Sequence, residues 1–136
     1  MKFCIKNKKP SVVLIENDPM FSIQFSIELR ENSNCVLHNF YNAEEALNEI
    51  KLIRPALVVI GTQKEKGLTE QQILIAVKTI LPDALVVILS SSDDVEKTLD
   101  LLKSGADNII SKKAYTESHL MEHIYSLFES KHICAL

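Results

Sequence analysis

Several absences narrow what this chain can be. No apolar run approaches the about 20 residues that cross a bilayer. The amino-terminal end has no long apolar segment followed by small residues, so neither a membrane span nor a secretion signal is expected. An excess of positive charge is also lacking. The net charge is −3, which gives no reason to expect nucleic acid as a partner. The basic stretch Met1–Lys9 reads as a solvated lead-in. Cysteines in pairs are missing too: Cys4, Cys35 and Cys134 are odd in number, far apart and outside any C-x-x-C spacing. That argues against a disulfide framework or a zinc site and for the reduced thiols of a cytoplasmic protein. With no internal repeat, low-complexity segment or linker, all 136 residues are expected to form one domain. Its core spans about residues 10–130, with a short lead-in and a frayed carboxyl-terminal tail.

What is present is organised around Pro55-Ala-Leu-Val-Val-Ile-Gly61. A short, unalternating, β-branched run between proline and glycine predicts a central parallel strand covered on both faces. Ligands and chemistry in open parallel sheets sit just past the carboxyl ends of such strands. Position 61 lies there, and Gly61 has no side chain.

Ser11–Ile15 predicts a second buried strand. Asp18 followed by Pro19 predicts a helix start, and Met20, Ile23, Ile27 with Phe21, Phe25, Leu29 continue it to about Glu31. Asn32-Ser33-Asn34 is a turn, and Cys35–Phe40 a modest strand. Asn42-Ala-Glu-Glu45 resembles a capping box opening a helix that Pro55 stops. Leu68–Leu81 reads as helix and Ala84–Leu89 as strand. The hydroxyl-rich turn Ser90–Asp93 is expected to cap a helix over 94–103, with Val95, Leu99 and Leu102 on one face and Ser104-Gly105 ending it. Asn108–Ser111 is a fifth strand, and Thr116 is expected to cap a last helix. Five strand–helix repeats argue for a parallel sheet with helices on both faces.

Four segments carry a resemblance: Val-Val-Leu-Ile-Glu16-Asn17-Asp18-Pro19, Arg54-Pro-Ala-Leu-Val-Val-Ile, Val86-Val-Ile-Leu-Ser90-Ser91 and Gly105-Ala-Asp-Asn-Ile-Ile-Ser-Lys112. Together they resemble the receiver domain of two-component response regulators. The resemblance implies a flavodoxin-like (βα)5 doubly wound sheet of strand order 2-1-3-4-5. It also implies a chemistry. A carboxylate ending the third strand attacks a phosphoryl group, and two acidic residues after the first strand help hold Mg²⁺. A hydroxyl after the fourth strand and a lysine after the fifth bind phosphoryl oxygens.

Position by position, this sequence departs from that pattern. The acceptor position is Gly61, which cannot be a nucleophile. Glu16 keeps the first acidic position, Asn17 keeps an oxygen but not the second charge, and Ser90 and Lys112 are retained. Lys113 stands where a proline is expected, Ile109 where a switch aromatic is expected, and the loop after the third strand is about two residues shorter. Losing two of about three carboxylates, at about 4 kcal/mol per pair at 4 Å and an effective dielectric of 20, should leave Mg²⁺ weakly held or absent, with no other metal or cofactor. Lys112 would then pair with Glu16.

The expectation is a pseudo-receiver, not an enzyme, signalling by association with a protein partner. A histidine kinase, another regulator or a second copy would fit. The chain ends soon after the fifth helix: as a whole protein its expected output is association, and as an excised domain it would act through an effector outside this sequence. The interaction surface would include Val95, Leu99, Ile109 and Tyr115. Two alternatives are a non-standard acceptor, Thr62 or Asp18, and a small-anion sensor using Ser90 and Lys112. His119 and His123 have metal-binding spacing but no visible third ligand, and Lys64, Glu65 and Lys66 read as a solvated loop tip.

Overall fold

The computed structural model describes residues 9–63, 66–112 and 117–131. Among them, strands and helices alternate: β1 (Ser11–Ile15), α1 (Pro19–Asn32), β2 (Val36–Phe40), α2 (Ala43–Ile53), β3 (Leu57–Ile60), α3 (Glu70–Ile80), β4 (Leu85–Ser90), α4 (Val95–Lys103), β5 (Asn108–Ser111) and α5 (Glu117–Ser130). The five strands form one parallel sheet ordered β2-β1-β3-β4-β5. This is the doubly wound, flavodoxin-like arrangement that the resemblance implied.

Period-two side-chain alternation sends each strand's residues to opposite faces. Val12, Leu14, Leu57, Val59, Val87 and Leu89 pack with α1 and α5, while Val13, Ile15, Val58, Ile60, Val86 and Ile88 pack with α2, α3 and α4. Both faces are covered, which is why these strands read as continuous apolar runs.

Local chemistry sets the element ends. Asp18 accepts from the Met20 N–H with Pro19 in the first turn, and Asn42 accepts from the Glu44 and Glu45 N–H groups. Arg54 ends α2 in the left-handed region at φ 52°, and Pro55 follows. The sequence signal at Asn42 resembled a capping box, but the reciprocal pair forms at α3: Gln72 N–H donates to Thr69 Oγ1 (3.2 Å) and Thr69 N–H to Gln72 Oε1 (2.9 Å). That cap starts α3 at Glu70, two residues after the Leu68 expected. Asp94 caps α4, and the serines before it build the turn. Gly105, at φ 113°, lets the chain leave α4, with Ala106 N–H returning to Leu101 O (3.1 Å). Asp107 Oδ2 then accepts from Val86 N–H (2.8 Å) and Lys78 Nζ (2.9 Å), stapling α3 and β4 to the turn before β5.

The apolar rows on two helices divide between core and surface. On α1, Phe25 and Leu29 enter the core, whereas Met20, Ile23 and Ile27 face outward. On α4, Val95, Leu99 and Leu102 are 70%, 49% and 45% exposed, and Leu101 is buried instead. Residues two apart on a helix point about 200° apart, so burying Leu101 turns Leu99 to the surface. Thr116 and residues 132–136 of the expected tail lie outside the described residues, as does most of the basic lead-in.

Candidate functional site

The carboxyl ends of β1, β3, β4 and β5 meet at one edge of the sheet. Backbone bonds fix their spacing: Gly61 N–H to Ile15 O (2.9 Å), Asn17 N–H to Thr62 O (2.8 Å) and Lys112 N–H to Ser90 O (2.8 Å). Glu16, Asn17, Gly61, Ser90 and Lys112 are therefore gathered at one edge, although they come from four separate segments.

Glu16 is the centre of this edge. Its residue is 0% exposed, and a charge so placed must be paired and hydrogen-bonded. Glu16 Oε1 accepts from Lys112 Nζ in a short ion pair and from Thr62 N–H at 3.1 Å. Oε2 accepts from Asp18 N–H at 2.9 Å. Lys112 Nζ also donates to Thr62 Oγ1 at 2.7 Å and lies 4.3 Å from the centre of the Phe21 ring. The ammonium is thus held by a carboxylate, a hydroxyl and an aromatic face. The Lys112–Glu16 pair expected from the sequence is present.

Gly61 matters by what it leaves room for. A Cβ built there would lie 2.2 Å from Glu16 Oε1 and 2.9 Å from Glu16 Cδ. Glu16 therefore fills the space into which any side chain at position 61 would project.

Two residues close the edge in ways the sequence did not signal. Gln63 Nε2 donates to Ile15 O and Gly61 O, each at 3.0 Å, satisfying both strand ends. Phe21, on α1, supplies the ring beside Lys112. Neither position carries a motif, because a glutamine shortly after a strand and an aromatic on an amphipathic helix are both commonplace.

Ser90 engages its own turn: Oγ accepts from Ser92 N–H (3.1 Å) and donates to Ser92 O (3.3 Å). Lys112 and Ser90 are adjacent through the backbone, but their polar side-chain atoms have different partners. Thr62 is held by Lys112, and Asp18 caps α1. His123 Nδ1 lies 3.1 Å from Asn108 Nδ2. Among the described residues, no cluster of three or more His, Cys, Asp or Glu could hold a metal ion. Of the expected interaction surface, Val95 and Leu99 are exposed, and Ile109 is half-buried against the α2–α4 side of the core. Tyr115, Lys113, Lys64, Glu65 and the His119 side chain lie outside the described residues. No helix among those residues is long and apolar enough to cross a membrane.

No model of a known protein family matches the sequence, and no curated protein does. Solved structures do match. The receiver domain of the Francisella response regulator 1452 is 22% identical, with a TM-score of 0.80 over 90% of this chain and 99% of that one. A receiver domain of a signal transduction histidine kinase from Syntrophus aciditrophicus is 20% identical, with a TM-score of 0.78 over 89% and 91%. A CheY-like response regulator receiver domain protein from Methanospirillum hungatei is 16% identical, with a TM-score of 0.81 over 90% and 96%. This likeness establishes the fold: the chain has the architecture of response-regulator receiver domains.

Proposed function

We propose that this chain is a receiver-like module of a two-component or phosphorelay pathway that works by association with a protein partner and without accepting a phosphoryl group. The observation that carries the reading is Glu16 lying over Gly61 in contact with Lys112. Gly61, just after β3, offers no nucleophile, and the remaining carboxylate is buried with all its contacts internal.

The residues present do not fit a divalent cation. A hard cation needs several free oxygen ligands. Here Glu16 is committed to Lys112 and two backbone N–H groups, position 17 is an uncharged Asn, and Gln63 donates to the nearby carbonyls of Ile15 and Gly61. The ammonium of Lys112 supplies the positive charge instead. An anion sensor is disfavoured on the same ground, because Lys112 and Ser90 are already engaged. The module is read as non-enzymatic and free of cofactor, and its odd, widely spaced cysteines support a cytoplasmic setting. Its contact surface includes the exposed α4 row of Val95, Leu99 and Leu102, and its partner is a histidine kinase, another regulator or a second copy.

Intact mass after incubation with Mg²⁺ and acetyl phosphate tests the reading. The expected spectrum shows the unmodified chain alone. A stoichiometric phosphoryl adduct would overturn phosphorylation-independent action.

A further inference from the structure

We infer that Glu16 is a resident surrogate carboxylate, occupying the single seat beside Lys112 for which a side chain at position 61 would compete. The inference rests on the receiver-like reading of this edge, but not on its lack of phosphoryl transfer.

Carbon atoms in contact settle at about 3.5–4.0 Å. At position 61 the 2.9 Å approach to Glu16 Cδ is far inside that range, and the 2.2 Å approach to Glu16 Oε1 is shorter than any carbon–oxygen contact. Even a methyl group there must expel the Glu16 carboxylate. The backbone of Gly61 is fixed by its bond to Ile15 O (2.9 Å), so the group that yields is the Glu16 side chain. In yielding it would give up Lys112, Thr62 N–H and Asp18 N–H together.

The seat is suited to one carboxylate. Lys112 Nζ is oriented by Thr62 Oγ1 and Phe21 independently of Glu16, so the ammonium is preset for whichever carboxylate arrives. A carboxylate borne on position 61 would take over the lysine and release Glu16 from the buried edge. The present arrangement ties the end of β1 and the start of α1 to the loop after β3 and to the residue after β5. It is a closed internal contact made by the chain's own acid.

The competition predicts strong coupling between positions 16 and 61. Thermal melts of four chains test it: native, Glu16→Ala, Gly61→Asp and the double variant. In the native background, Glu16→Ala strips Lys112 of its carboxylate, and Tm should fall by at least about 5 °C. In the Gly61→Asp background the lysine already has a carboxylate, so the same change should lower Tm by under about 2 °C. Equal losses in the two backgrounds would overturn the inference. Should Gly61→Asp not fold, Glu16→Gln in the native background puts the question without any change at position 61. The amide proton resonances of Thr62 and Asp18 should then shift together, because both donate to one carboxylate. If they stay in place, the assignment of Glu16 to this seat is overturned. The two proposals fail separately: a phosphoryl adduct on the native chain leaves the competition intact, and equal Tm losses leave a missing adduct unexplained by it.

Discussion

Replacing Lys112 with methionine removes the positive end of a buried pair while keeping an unbranched chain against Phe21. Glu16 is 0% exposed and the Lys112 side chain 14%, so water cannot replace the lost ammonium at the carboxylate. Deleting one partner of a buried pair costs about 3–5 kcal/mol. Glu16 keeps the Thr62 and Asp18 N–H bonds, which places the loss at about 3 kcal/mol. Unfolding entropy of about 2.1 cal/mol/K per residue converts that, for a chain of this length, into a Tm about 10 °C lower. Circular dichroism melts at pH 7 would measure it. The companion Glu16→Gln/Lys112→Met removes both charges and should recover most of the loss, because an uncharged pair no longer needs compensation. A Lys112→Met chain melting within about 2 °C of native would refute the reasoning, and so would a double variant less stable than the single one.

Other perturbations separate surface from core. Leu99→Ser should change stability by no more than about 0.5 kcal/mol, whereas Leu101→Ala should cost about 2–5 kcal/mol; urea titrations in which Leu99→Ser is the damaging change would show that α4 is turned the other way. Asp107→Ala leaves the Val86 N–H without its acceptor and takes the carboxylate from Lys78, whose Nζ keeps only Ala84 O, for an expected loss of about 2 kcal/mol, and a midpoint unchanged in urea would contradict the staple. Burial pushes the Cys35 thiol above its usual range, outweighing the opposite effect of Ser33. A raised value means less thiolate at pH 8, so iodoacetamide should modify Cys35 more slowly in the folded chain than in the unfolded one. Peptide mapping distinguishes it from Cys4 and Cys134, and equal folded and unfolded rates would count against the burial.

Much of the architecture was legible because it depends on short stretches. Ser11–Ile15 and Leu57–Ile60 had to be covered on both faces, since an unalternating apolar strand has no polar side to give to water. Asp18, Asn42 and Gly105 mark helix ends through bonds that reach only a few residues. The Lys112–Glu16 pair was legible once the fold was, because one carboxylate and one ammonium remained at a shared edge. Val95 and Leu99 were expected at the surface, but the burial of Leu101 on α4 was not legible. Periodicity gives the spacing of Val95, Leu99 and Leu102 but not the phase of the helix about its axis, and that phase was settled by Leu101 entering the core. Gln63 and Phe21 carried no signal, because each acts only through partners supplied by distant strands.

The sequence alone determined that position 61 offers no nucleophile, because glycine has no side chain in any conformation. It also determined the strand–helix order, written in local patterns of burial and capping. The tertiary structure decided where the one remaining carboxylate goes. A glutamate side chain has several rotatable bonds and many rotamers of similar intrinsic energy. The choice among them was made by Lys112, 96 residues away in the chain, and by the N–H groups of Thr62 and Asp18. Only folding brings those groups together, and only folding turns an empty place at position 61 into one that Glu16 fills.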